Sequence, residues 1–301
     1  MPPKAMWAPN RGNSIGIRSV RLVSFGKGGP VEKAPLPEMN TYEYNRNSWN
    51  LQSTEGCRWS TPFSDEVIEA AKGGDWSVIL TPNKPVPNSW FPSFPRLEGV
   101  RLLALACGGG QQVPLFAAAG AEVTSYDASD VQLEKDAETC ERNGLSVRTI
   151  QGDMADLSAI EDGKFDLIFN PVSNVFAEKL EPIWKECHRV LKPGGSLLCG
   201  FMNPAFYLFD HEILEETGEL VVKHRLPYSD LDDAAEEDLE DQIEAQLSVE
   251  FSHSWEEQLG GQCDAGFAIT GFYEDDWDRE SSGLQGWMPM FAAIRAIAGE
   301  R

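Results

Sequence analysis

Three consecutive glycines, Gly108, Gly109 and Gly110, separate an apolar run (Leu102, Leu103, Leu105) from a short helical stretch, and the next apolar run closes on an acid, Asp127. Residues without a Cβ let the backbone turn sharply and bring a ligand close to main-chain N–H groups. A helix opened by them offers unpaired donors and a positive dipole end to an anionic group. Asp127 lies 17 residues beyond Gly110, where an acid ending the second strand of a βαβ unit holds ribose hydroxyls. A second acid follows the third apolar run in the string Gly152, Asp153, Met154. Together these residues predict a grip on a nucleoside-bearing cofactor. The competing readings are a plain tight turn for the glycines and strand-end turn acids for Asp127 and Asp153.

The elements that must position these groups follow from hydrophobic patterning. Strands are expected at 101–106, 122–126, 147–150, 165–169 and 196–201, with helices near 111–119, 130–143 and 178–191. This alternation predicts an α/β fold, a doubly wound, mostly parallel seven-stranded sheet with helices on both faces. A helix near 255–260 precedes two last strands, 266–272 and 288–297, expected as a terminal antiparallel β-hairpin. Residues 45–98, rich in Trp, Asn and Pro, read as an N-terminal cap containing a helix over 65–72 that starts after Ser64. Residues 204–254 read as an insertion after the fifth strand. In it, strands at 219–228 and 247–254 flank an acidic run from Asp230 to Glu244 that contains no basic residue. The run is expected as a solvated segment or a lid. The expected organisation is a flexible extension over 1–44 and one domain over 45–301.

Bulk composition narrows the partners. A content of 42% hydrophobic residues with nine tryptophans opposes disorder along most of the chain. The formal net charge of −23 would repel a phosphate backbone, so no nucleic-acid partner is expected. No apolar run reaches bilayer-crossing length, so no membrane partner is expected either. Cysteines 57, 107, 140, 187, 199 and 263 lack C-x-x-C or metal-ligand spacing, which predicts free thiols, a reducing compartment and no metal site. Cys107 abuts the glycines as a nucleophile or a loop-packing residue. Lys4, Arg11, Arg18, Arg21 and Lys27 precede the first acid, Glu32. That start reads as a disordered extension of a cytoplasmic protein, or as a transit peptide to mitochondrion or plastid.

Taken in order, ALACGGG, Asp127, GDM, FDLIFNPVSN, RVLKPGGSLL and DAGFAITGFYED resemble the class I S-adenosylmethionine-dependent methyltransferases over roughly residues 97–301. The strings LACGGGQQ and NPVSN resemble one branch of small methyltransferases whose acceptors are unassigned. The resemblance implies S-adenosylmethionine as cofactor, held by Ala106, Cys107, Gly108, Gly109, Gly110, Gln112, Asp127, Ala128, Asp153, Met154 and Asn170. In it, Gly108 and Gly110 approach the methionine portion and Asp127 takes the ribose. Asp153 takes the adenine amine, Met154 covers the ring, and Asn170 sits beside the methyl. Transfer to a small-molecule acceptor then needs alignment of nucleophile, methyl and sulfur, and a base only where the acceptor loses a proton. His211 and His253 are the candidate bases because imidazole titrates near working pH. Trp49, Asn174, Phe206 and Tyr207 are the candidate acceptor contacts.

The chain departs from the family pattern at Ala104 and Ala106, where an acid and a glycine are usual, with Gln111 and Gln112 as candidate substitutes. Val172 and Ser173 depart from the N-P-P-aromatic motif of enzymes that methylate planar amino groups, so a nucleobase or amide acceptor is not supported. Asn170 also fits a plain Asn-Pro turn. Two other functions compete. A nicotinamide-dependent oxidoreductase expects a glycine where Val113 stands. A non-catalytic cofactor-binding or scaffold protein accommodates Ala104 and the acidic run.

Overall fold

The computed structural model describes residues 39–277 and 283–300, so the extension expected over 1–44 lies largely outside the described residues. The apolar runs form five parallel strands: β1 (Arg101–Leu105), β2 (Glu122–Asp127), β3 (Arg148–Gln151), β4 (Phe165–Asn170) and β5 (Leu191–Met202). Two more, β6 (Phe267–Asp275) and β7 (Phe291–Ala298), join antiparallel to give the order β3-β2-β1-β4-β5-β7-β6.

β1 reads as continuous apolar sequence because both its faces are covered. Leu102 and Ala104 pack with helices α2 (Asp65–Lys72), α3 (Gln112–Ala118) and α4 (Asp130–Arg142), whereas Leu103 and Leu105 pack with α5 (Glu181–Val190) on the other face. The strand order reverses between β1 and β4, so their carboxyl ends open a crevice there.

The cap begins earlier than expected. Helix α1 (Thr41–Thr54) starts four residues ahead of residue 45, because Asn40 caps it by accepting from the Glu43 N–H at 3.1 Å. Further along, residues 79–82 lie across β5. The Leu80 carbonyl accepts from the Val172 N–H at 3.1 Å, and a Cβ on Gly200 would sit 2.2 Å from that oxygen. Glycine in mid-strand is what lets the two backbones touch. Asp275 anchors the same stretch, accepting from the Thr81 hydroxyl at 2.7 Å and the Lys84 N–H at 2.8 Å.

The insertion differs most from expectation. The strands expected at 219–228 and 247–254 do not form; they make single bridges, Val222 to Phe209 and Phe251 to Ser229. Residues 219–227 are mostly exposed, so their apolar pattern has no surface to pair against. After α6 (His211–Thr217), the acidic run itself folds as α7 (Asp230–Asp233) and α8 (Glu236–Glu244). Acids in a first turn complement the helix dipole, and Leu239 supplies α8 with a buried contact. The chain then runs back along α1. The Asn45 side chain brackets Val249, accepting from its N–H at 2.9 Å and donating to its carbonyl at 3.0 Å, while the Ser48 hydroxyl donates to the Gln246 carbonyl at 2.8 Å. The insertion is a buttress behind α1. The helix near 255–260 is a π-helical turn, Glu256–Gly260, that continues into α9 (Gly261–Asp264). Among the described residues no helix is long and apolar enough to cross a membrane.

Candidate active site

At the end of β1 the backbone enters the left-handed region at Ala106 (φ +48°) and again at Gly109 (+119°) and Gly110 (+78°). All three glycine amides are already engaged. The Gly108 N–H donates to Asp127 Oδ2 at 3.1 Å, that of Gly109 to the Gln132 carbonyl at 3.1 Å, and that of Gly110 to Asp136 Oδ1 at 2.7 Å. The sequence expectation of a free amide cradle is therefore corrected, since these donors are spent on α4 and β2. The glycines serve close packing instead. A Cβ on Gly109 would lie 2.9 Å from Ser60 Cα and from the Trp59 carbonyl, and one on Gly110 would lie 2.8 Å from Pro62 Cβ. The cap is docked on the outer face of the loop.

The inner face opens onto a cavity of about 540 Å³ at the crevice. Ala106, Cys107, Gly108, Gln112, Asp127, Ala128, Asp153 and Met154 line it, as does Trp49 of the cap. Gly109, Gly110 and Asn170 do not. Asn170 is fully buried and acts as a strut, its amide donating to the Leu105 carbonyl and to the Ser173 hydroxyl, both at 2.9 Å. The glutamines serve the cap: Gln112 Oε1 accepts from the Ile79 N–H at 2.9 Å, and the Gln111 amide donates to the Arg58 and Thr61 carbonyls.

Several lining residues escaped the sequence reading. Tyr42, Asn45 and Arg46 share one face of α1 with the expected Trp49, at the helical spacing i, i+3, i+4, i+7. That periodicity was available, but the first of them fell in a stretch read as flexible extension. Trp59, Leu80 and Phe176 complete an apolar wall; nothing local marks them, because separate elements bring them together.

Burial sets the electrostatics. It pushes the Asp127 carboxyl up to about 6, against the opposing effect of N–H donors from Ser129, Gly108 and Ala128. It also raises the Tyr42 phenol, with Asp153 next in effect and Asp127 contributing, and all three residues line the cavity. The Cys107 thiol is pushed well above its ordinary value by burial, then by Asp136 and Asp127. A thiol held protonated is a poor nucleophile, so the packing role stands.

The two candidate bases lie elsewhere. Neither His211 nor His253 lines the cavity. Each uses Nε2–H to donate to backbone carbonyls: His211 to Phe206 at 2.9 Å, His253 to Asn174 at 3.1 Å and Ala177 at 2.9 Å. Burial pushes both imidazoles below their ordinary value. They are satisfied structural histidines. Asn174, Phe206 and Tyr207 are also outside the lining. The Asn174 amide donates to Cys199 Sγ at 3.5 Å, Phe206 packs on His211 at 4.2 Å between ring centroids, and the Tyr207 hydroxyl donates to Glu250 at 2.7 Å. Among the described residues no group of three or more His, Cys, Asp or Glu is placed to hold a metal ion.

This donor set fits an adenosyl group better than a dinucleotide. The two lining acids, Asp127 and Asp153, supply acceptors suited to hydroxyls and an exocyclic amine, and Tyr42 and Met154 line the same cavity. A pyrophosphate would instead need the glycine amides that the protein has consumed.

Comparison with known proteins agrees with that geometry. The sequence profile of a family described as "Methyltransferase domain" matches residues 103–199, from β1 into β5. Over 232 residues the chain is 47% identical to the uncharacterized methyltransferase YbaJ of Bacillus subtilis (strain 168), an alignment covering 77% of this chain and 89% of that protein. The chain belongs to the class I S-adenosylmethionine-dependent methyltransferases, and S-adenosylmethionine is its cofactor. In fold it is similar to a solved S-adenosylmethionine-dependent methyltransferase from Mesorhizobium loti, with TM-score 0.52 at 18% identity over 69% of this chain and 94% of that one. A putative relative of the same kind from Listeria monocytogenes gives TM-score 0.50 at 20% identity, over 67% and 92%.

Proposed function

We propose that this methyltransferase acts on a small-molecule acceptor, by in-line displacement inside the cavity between the sheet edge and the cap. The observation that carries this reading is the cavity itself. At about 540 Å³ it lies within the range of small-molecule sites, and its walls beyond the acids are Trp49, Trp59, Leu80, Val172 and Phe176. The net charge of −23 opposes approach of a polyphosphate acceptor.

In the proposed site Asp127 accepts from the ribose hydroxyls and Asp153 from the adenine amine, while Met154 and Tyr42 flank the base. The loop from Ala106 to Gly108 faces the methionine portion. When bound, the cofactor supplies an activated methyl on a sulfonium and departs as a neutral thioether. The chain's own residues hold that methyl in line with the acceptor and exclude water with apolar walls. No imidazole lines the cavity, so the reading favours acceptors that attack with a ready lone pair, such as an amine or a thiolate, over weakly acidic alcohols. The test is formation of S-adenosylhomocysteine across a panel of small amines, thiols, phenols and carboxylates, alongside protein and nucleic-acid substrates. Turnover confined to macromolecules would refute the proposal.

A further inference from the structure

Behind the glycine loop stands a carboxyl that contacts no part of the cavity. Asp136 on α4 is fully buried, accepting from the Gly110 N–H through Oδ1 and from the Ser125 hydroxyl through Oδ2, both at 2.7 Å. One turn earlier on the same helix, the Gln132 carbonyl takes the Gly109 N–H; one turn later, a Cβ on Gly110 would lie 2.9 Å from Thr139 Oγ1. Strand β1 supplies no such acceptor, because the residue in register with Ser125 is Ala104.

We infer that Asp136 is a positioning residue for the cofactor, its carboxyl group holding the Gly108–Gly110 loop in the shape that sets Ala106, Cys107 and Gly108 along the binding cavity. The loop leaves β1 through a left-handed Ala106 at φ +48°, a conformation that persists only where the surroundings over-determine it. The cap presses from outside through Trp59, Ser60 and Pro62. It is tied to the same helix, since the Lys135 ammonium donates to the Ser60 carbonyl at 2.7 Å. Asp136 restrains the loop from the other side. The titratable groups facing it are Asp127 from β2, Cys107 from the loop and Cys140 on its own helix. Burial among them pushes its carboxyl up to about 7, so the site keeps an expensive group. In its ionised form, which dominates as pH rises above about 7, the group gives Gly110 a charge-assisted bond about twice as strong as a neutral one.

The test compares wild type with Asp136→Ala and Asp136→Asn by calorimetric titration of S-adenosylmethionine and S-adenosylhomocysteine, with amide hydrogen exchange of Gly109 and Gly110 in the ligand-free protein. The alanine variant should lose Gly110 protection and bind both ligands roughly 10–100-fold more weakly, by the same factor. The asparagine variant, which keeps a neutral acceptor, should lose roughly 2–5-fold. Equal losses are expected because the loop is perturbed, not the sulfonium charge. A loss confined to the cationic ligand would overturn the inference. So would a lowered melting temperature with both dissociation constants within twofold of wild type, since that is a packing role. Should the alanine variant not fold, the asparagine variant and Ser125→Ala, expected to weaken binding severalfold by freeing Oδ2, decide the matter on the same readouts. Wild-type protein that bound neither ligand would count against the placement of the cofactor, while loop protection would still judge Asp136.

Discussion

Replacing Asp127 with asparagine should weaken cofactor binding by about 1.5–3 kcal/mol, the range for hydrogen bonds to a buried charge. Asp127 is 8% exposed, and backbone donors reach both its oxygens, among them Gly108 N–H on Oδ2 at 3.1 Å and Ser129 N–H on Oδ1 at 2.9 Å. The asparagine amide would turn an NH₂ toward one of those donors, so the loop shifts as the ribose contact weakens. At 1.4 kcal/mol per decade the dissociation constant rises roughly 10–150-fold. Because burial holds the carboxyl at about 6, wild type carries its own control. Ribose hydroxyls prefer the ionised form, which is lost as pH falls through 6. The Asp127 contribution should then weaken by about tenfold per pH unit below that point. The assay is calorimetric titration of S-adenosylhomocysteine from pH 5 to 8 with both proteins. A wild-type constant that is flat between pH 7.5 and 5, or an asparagine variant within twofold of wild type, would refute the placement of the ribose.

Three further outcomes test the architecture. Gly200→Ala places a Cβ 2.2 Å from the Leu80 carbonyl, so the cap must move; stability should fall by about 1–3 kcal/mol in denaturant titration, and cofactor affinity with it. Ala106→Gly relieves a left-handed alanine at φ +48° and should raise the melting temperature through about 1 kcal/mol of strain removed, net of glycine's entropy; a lower melting temperature would show that Ala106 is unstrained. Glu250 is buried against Asp230, and its carboxyl is pushed up to about 8 by burial and then by Asp230. A carboxyl raised above its unfolded value contributes stability that is complete below about pH 4 and lost as pH climbs through 8. Wild type should therefore lose about 1.4 kcal/mol per pH unit between about pH 5 and 8 from this group and nothing further above 8, a slope that Glu250→Gln should abolish in melting curves from pH 5 to 9.

Local chemistry determined much of this protein. Strand and helix periodicity marked the seven-stranded α/β sheet, because burial on one or both faces imprints a period that any short window carries. The same holds for the glycine loop and for Asp127, Asp153 and Met154, which sit at strand ends where the chain must turn. Long-range packing decided the rest. Whether a glycine amide meets ligand or protein depended on Asp136, 26 residues away, and no periodicity announces such a partner. His211 and His253 looked like bases because their intrinsic pKa suits the task, yet carbonyls from separate segments claimed their ring nitrogens. Residues 219–228 carry a strand pattern but were left without a neighbouring edge. The acidic run, free to remain solvated, helped build the wall behind α1. Side-chain type sets what a residue can do; the neighbour that reaches it first, set by the packing of distant elements, selects what it does.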